Sequence, residues 1–217
     1  MFDWEFILQS IPAFSKALWL TLHLSFFGIA LAIIFGFFVA LVQYYKIKYL
    51  KTFVNIYVEI SRNTPMLIQL FFIYYGLSRL GLKLEAYTCA ICAVVFLGGS
   101  YMAESFRSGF EAVSKIQIES AKSLGLENLQ ILFFITLPQA LVVSLPYIGA
   151  NVIFLLKETS VVTAIALPDV LYVTKDIIGT YSKTNEAFLL LIACYLIVLL
   201  PISILFSGLE KYYKKRL

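Results

Sequence analysis

The chain has 217 residues and a formal net charge of +4; 61% of its residues are hydrophobic and 14% are charged. A soluble domain carries about 45–50% apolar and about 25% charged residues, so this chain has too few polar groups to cover a water-facing surface. Composition therefore excludes a soluble enzyme or binding module, lipid is the expected solvent, and the length suits one domain.

Residues 3–17 mix Trp4, Phe6, Ile7 and Phe14 with Asp3, Glu5 and Lys16. That pattern predicts a helix lying in the membrane interface, with Trp4 at headgroup level. No basic segment precedes the first apolar run, and the run is too long for a cleavable signal, so it is expected to remain and span. This run, 18–43, carries no charge and exceeds the about 20 residues that cross a hydrocarbon core. Lys46, Lys48 and Lys51 follow it.

A second, shorter membrane helix is expected over 64–78, with 52–63 leading into it as helix. Pro65 suits its first turn, Asn63 or Thr64 its cap, and Glu59 and Arg62 are spaced to pair. The third helix is expected over 86–103. Polar residues dominate 104–128, and apolar character returns at Leu129. Pro138 is expected to end a short helix, with the fourth membrane helix running over 141–166. Residues 168–185 are mixed, and the fifth helix is expected over 186–209. The fold class is therefore all-α integral membrane: five transmembrane helices in one domain, 1–217, with an N-terminal interfacial helix and a further helix in the 104–128 loop.

Five crossings place the termini on opposite sides. Of the 17 Lys and Arg residues, Lys46, Lys48, Lys51, Arg62, Arg107, Lys115, Lys122, Lys211, Lys214, Lys215 and Arg216 fall on one side. Only Lys16, Arg79, Lys83, Lys175 and Lys183 fall on the other, with Lys157 inside the fourth helix. The excess of positive charge marks the cytoplasmic side. The N-terminus is expected outside; the 104–128 loop and the C-terminus are expected in the cytoplasm.

The loop reads SKIQIESAKSLGLENLQILFFITLP. Ser114 and Gln117 fit a capping box, so a helix of about three turns should begin near Lys115, and Gly125 suits the left-handed position that ends it. Ile116, Ser120, Ala121 and Leu124 are expected to share one face, with Glu119 and Lys122 on another. Such a helix is too short to stand alone and needs a partner, whose surface can approach closely at Ser120, Ala121 and Gly125.

Glu119-Ser120-Ala121, then Gly125, then Ile135-Thr136-Leu137-Pro138 resembles the EAA loop of ABC importer permeases. The spacing agrees throughout; Ser120 stands where that family usually has Ala. The stretches 57–77, 100–126 and 137–165 are similar to its polar amino acid branch. The resemblance implies the type I importer permease fold and a coupling helix that docks on a separate ATPase, with Glu119, Ser120, Ala121, Lys122, Leu124 and Gly125 at or beside the contact. It implies transport of polar amino acids by alternating access, with three kinds of partner. These are an ABC ATPase holding ATP–Mg, a second permease copy or paralogue, and a periplasmic or lipid-anchored binding protein. It also implies the bacterial inner membrane as location and lipid as surroundings. No cofactor of its own and no nucleic acid are expected.

Within the fourth helix, Lys157 and Glu158 stand at membrane depth, where a charge costs roughly 2.5–3.5 kcal/mol on insertion scales. Asn151 lies two turns before Glu158, on the same face. Glu158 suits a substrate ammonium and Asn151 its polar groups, which makes Asn151, Lys157 and Glu158 the candidate substrate-binding residues; pairing near a helix end is the plain alternative. In relatives that import cationic amino acids, the positions matching Asn151 and Glu158 can both be acidic; the neutral Asn151 argues against a strongly cationic substrate.

No GxxxxGK[ST] occurs, so no ATP hydrolysis by this chain is expected. Cys89 and Cys92 form a CxxC, but its flanks are apolar, Cys194 is remote and no second pair stands at ligand spacing, so no metal site is expected. His23, the single histidine, is expected to hydrogen-bond between helices. Gly98 and Gly99 are expected to permit close packing. A membrane enzyme would need a nucleophile and base, and an ion-driven transporter more intramembrane carboxylates and internal repeats.

Overall fold

The computed structural model describes residues 2–214, and every regular element among them is helical. Lys215 and Arg216, counted above on the basic side, lie outside the described residues.

Helix α1 runs unbroken from Trp4 to Tyr44, 41 residues or about 60 Å. The expected separate interfacial helix is thus the first part of α1. Asp3 caps it by accepting from Phe6 N at 3.0 Å, and Pro12 lies inside it. Tertiary contacts keep this part helical: Phe14 and Ala17 are buried with Val170, Ile177, Ala187 and Cys194. At the same end Lys183 Nζ donates to Asp3 Oδ2 at 2.8 Å. That bond holds the Asp3 carboxyl below its ordinary value and raises the Lys183 ammonium.

After a turn, α2 spans Leu50–Arg62. The chain breaks at Asn63–Pro65, and α3 runs over 66–79 as Met66–Phe71, a π-helical stretch Phe72–Gly76, and Leu77–Arg79. The expected Asn63 or Thr64 cap does not form. Both turn back onto α2, Asn63 Nδ2 to Glu59 O and Thr64 Oγ1 to Ile60 O, each at 2.8 Å. Gln69 Nε2 secures the break instead, donating to Ser61 O and Thr64 O at 2.9 Å each.

Helix α4, Ala86–Ala112, extends well past the expected end at 103 and takes in nine residues read as loop. Their charges lie along one side of the helix only. Arg107 pairs with Glu104 and Glu111 on the outer side, while Ser105, Phe106, Gly109 and Phe110 are buried on the inner side. Helix α5 is Lys115–Ser123.

Helix α6 is continuous over Asn128–Ile165: one α turn, a π-helical stretch Leu132–Thr136, α-helix Leu137–Glu158, and a 3-10 end Thr159–Ile165. Pro138 therefore does not break it. The wide π turn directly precedes, so Pro138 falls in the first turn of the next α segment, where no N–H is needed. Helix α7, Val170–Tyr181, lies in the segment read only as mixed; buried Asp169 caps it, accepting from Tyr172 N at 2.9 Å. Helix α8 covers Thr184–Lys214.

Among the described residues four stretches, α1, α4, α6 and α8, are long and apolar enough to cross a membrane. The 66–79 stretch of α3 spans about 21 Å, less than a hydrocarbon core of about 30 Å.

α4 sits at the centre, against α1 on one side and α6 on the other. Small residues let the backbones close in. A Cβ on Gly36 of α1 would stand 2.5 Å from Met102 Cβ and 2.7 Å from the Gly99 carbonyl oxygen of α4. A Cβ on Gly98 would strike Leu155 and Ala32, and one on Gly109 would strike Ser144 and the Ala140 carbonyl. Without a hydrophobic drive between helices in lipid, such close packing is what associates them. His23 Nδ1 meets Tyr87 Oη at 2.5 Å, an interhelical bond between α1 and α4.

Candidate functional site

The first site is α5 and its exit. Ser114 stands at the N-cap without a side-chain bond, so the expected capping box is absent. Gln117 is used elsewhere: its Oε1 accepts from Gln139 Nε2 of α6 at 2.9 Å. The capping box forms one helix later, between Glu127 and Gln130, at the start of α6. At its other end α5 closes as a Schellman motif. Gly125 N donates to Lys122 O at 2.9 Å and Leu126 N to Ala121 O at 3.1 Å. Gly125 has φ +82°, the left-handed value that its position requires.

The faces of α5 differ from expectation at Ala121. Ala121 is 3% exposed, turned inward with half-buried Ile118, so it is not on the face of Ile116 and Leu124. A helical repeat of 100° places Ala121 about 140° from Ile116, and the protein body takes the inner side. Ala121 therefore seats the helix, and its small size serves that contact. The outer face presents Ile116, Glu119, Ser120, Ser123 and Leu124, with Ile116 73% and Leu124 82% exposed. Glu119 and Lys122 are exposed, and neither forms an ion pair among the described residues.

The second site is polar and lies between α4 and α6. Asn151 Nδ2 donates to Ser105 Oγ at 2.9 Å and to Tyr101 O at 3.3 Å. Its amide is thus tied to α4. Glu158 is half-buried where α6 tightens into its 3-10 end, and it has no hydrogen bond or ion pair among the described residues. Lys157 is exposed and does not pair with Glu158. Asn151 and Glu158 stand about 10 Å apart along one helix, and Lys157, next to Glu158 in the chain, is turned to the exposed side.

The sequence reading missed what surrounds Asn151. Arg62 lies 5.3 Å over the Tyr101 ring and 3.6 Å from Glu104, not beside Glu59 as the spacing suggested. Glu104 also accepts from Arg107. Ser61, Ser100, Tyr57 and the Phe96 carbonyl form a further bonded group between α2 and α4. These partners lie about 40 positions apart in the chain, and local spacing carries no signal of them.

Long apolar helices packed through glycines, with the short exposed helix α5 between α4 and α6, make this an integral membrane protein. The chain belongs to the family described as binding-protein-dependent transport system inner membrane components, which it matches over residues 28–217. Among curated relatives, the probable glutamine ABC transporter permease protein GlnP of Bacillus subtilis is 37% identical over 168 residues, 77% of each chain. The octopine transport system permease protein OccM of Rhizobium radiobacter is 31% identical, covering 96% of this chain and 89% of its own.

Of solved structures, an amino acid ABC transporter crystallised with histidines aligns at TM-score 0.89 and 31% identity, over 98% of this chain and 99% of that one. The MetNI methionine ABC transporter, at TM-score 0.78 and 17% identity over 94% of this chain and 98% of that one, shares the fold. The protein is thus a permease subunit of an ABC importer, with the type I permease fold. Members of this class work with an ATPase and a substrate-binding protein.

Proposed function

We propose that this subunit passes polar amino acids across the bacterial inner membrane by alternating access, with α5 as the coupling helix. The observation that carries the proposal is the two-sided character of α5. Its inner side is anchored by Ala121, Ile118 and the Gln117–Gln139 bond, while Ile116, Glu119, Ser120 and Leu124 face outward. A push on that outer face passes straight into α6, because only Leu124–Glu127 separates the two helices.

In this reading the N-terminus is external, and α5 and the C-terminus are cytoplasmic. The chain crosses five times, with α3 as the fifth span. The chain holds no nucleotide; ATP–Mg sits on the partner ATPase, and the chemistry done here is binding and gating. Glu158 takes the substrate ammonium, with Asn151 beside it and Lys157 at the edge. A second copy or a paralogous permease completes the route, and a periplasmic or lipid-anchored binding protein delivers the substrate. The glutamine, octopine and other amino acid systems of the relatives support this substrate class.

The test is a cysteine at Glu119, crosslinked in the complete transporter with and without ATP. Crosslinks to the ATPase that change with nucleotide are expected. Crosslinks to no ATPase, or labelling of that cysteine from outside the cell, would refute the coupling role and the orientation. Uptake that continues with the ATPase inactivated would favour an ion-driven transporter or channel instead.

A further inference from the structure

A cavity of about 970 Å³ opens between the C-terminal end of α1, helix α2, the end of α4 and helix α5. Small-molecule sites commonly have volumes of about 300–1,000 Å³. Lys46, Lys51, Lys115 and Lys122 line it, with Asn55 and Asn128. The carboxylates on its wall are already engaged. Glu104 and Glu111 are held by Arg107, Glu104 also by Arg62, and Glu59 accepts from Asn63 Nδ2 at 3.3 Å. The four lysines make no ion pair among the described residues, and the wall carries six cationic side chains against three carboxylates, so the basin is net positive.

Two further observations point to the occupant. Helix α2 is two-faced: Lys51, Asn55, Glu59 and Arg62 line the basin, whereas Phe53, Ile56 and Ile60, at 73%, 53% and 55% exposure, lie on the other side. A helix with a basic face and an apolar face sits at the boundary between headgroups and acyl chains. The turn before it is strained to set this up. Tyr49 has φ 67° and ψ −52°, Leu50 N bonds Lys48 O at 2.9 Å, and Lys46 has φ 51°. That is the classic γ-turn, a costly conformation for a residue with a side chain. It brings Lys46 and Lys51, from either side of the turn, to one basin.

We propose that this basin binds the phosphate headgroup of an anionic phospholipid, whose acyl chains lie along Phe53, Ile56 and Ile60. Basic pockets between helices at a membrane surface suit such headgroups, and a lipid, charged at its head and apolar in its tails, satisfies both faces of α2 together. The proposal uses only the membrane setting, so it stands or falls apart from the transport reading.

The experiment places the full-length permease in vesicles of phosphatidylcholine and phosphatidylglycerol, extracts it gently, and counts retained lipid per protein by mass spectrometry. Wild type is expected to retain phosphatidylglycerol in preference. The double variant Lys46→Gln, Lys51→Gln is expected to weaken retention roughly twenty-five-fold, taking about fivefold for each lysine near a membrane surface. Lys48→Gln, on the same turn but outside the basin, should retain as wild type does, and Lys46→Arg with Lys51→Arg should keep the lipid and so separate charge from folding.

Equal loss in Lys48→Gln would overturn the site. So would thermal stabilisation by inorganic phosphate equal to that by phosphatidylglycerol, which would assign a free anion. Loss of the lipid on assembly with the ATPase would assign the basin to that partner.

Discussion

Replacing Gly125 by Ala isolates the backbone turn that ends α5. Gly125 has φ +82°, and a Cβ built there meets nothing within 4 Å. The substitution therefore adds no clash and removes no contact; its whole cost is the left-handed backbone, about 1–2 kcal/mol for a residue with a side chain. The nine residues of α5 cannot hold helix unaided, so the two Schellman bonds from Gly125 and Leu126 matter to its order. A shift of that size changes the ordered-to-frayed ratio by a factor of about 5–30. If only the ordered helix docks, the Kd for the ATPase, titrated onto permease in lipid nanodiscs, should rise by up to about 5–30-fold. Gly125→Asn should bind within a few-fold of wild type, because Asn tolerates this conformation. The Tm of the permease alone should be unchanged in both. Wild-type affinity in Gly125→Ala, or equal damage from Asn and Ala, would refute the reasoning.

Glu158→Ala should reduce substrate-stimulated ATP hydrolysis in the reconstituted transporter and leave assembly intact; unchanged stimulation would remove Glu158 from the substrate path. Gly109→Ala should cost about 1–3 kcal/mol, read as a lower Tm, because the new methyl meets the Ala140 backbone carbonyl, which cannot rotate away. Wild-type Tm would mean that α4 and α6 part easily. Asp169 is 1% exposed, its Oδ2 has no hydrogen-bond partner among the described residues, and burial pushes its carboxyl up to about 6 despite the backbone N–H donors around it. A raised carboxyl favours the fold most below its unfolded value of about 3.9, and that stabilisation is lost as pH rises through about 6. Asp169→Asn should therefore be more stable than wild type at pH 8, by up to about 3 kcal/mol, and its stability should vary less between pH 4 and 7. An unchanged pH profile by thermal unfolding would contradict this.

Much of the fold was legible in sequence because lipid demands long charge-free runs, and these are local features. The spans over 18–43, 86–103 and 186–209 lie within observed helices, and 141–166 overruns its helix by one residue, Ala166, whose left-handed backbone ends α6. The reading failed where polarity stood in for a break. Glu104–Glu111 is helix because its ion pairs run along one side and its apolar residues are buried on the other. Pro138 is passed because a π turn precedes it, and no residue type announces such a turn.

The candidate sites divide in the same way. The left-handed glycine that closes Lys115–Ser123 and the hydrophobic spans follow from residue order, since turn chemistry and burial in lipid act within a few positions along the chain. Tertiary structure alone decided that Ala121 faces inward, that Gln117 reaches Gln139 instead of capping, that Arg62 joins Glu104 over Tyr101, and that Asn151 is bound to Ser105. Each depends on which helices come together. In a bundle packed through glycines, that is set by the sum of many weak contacts between residues far apart in sequence.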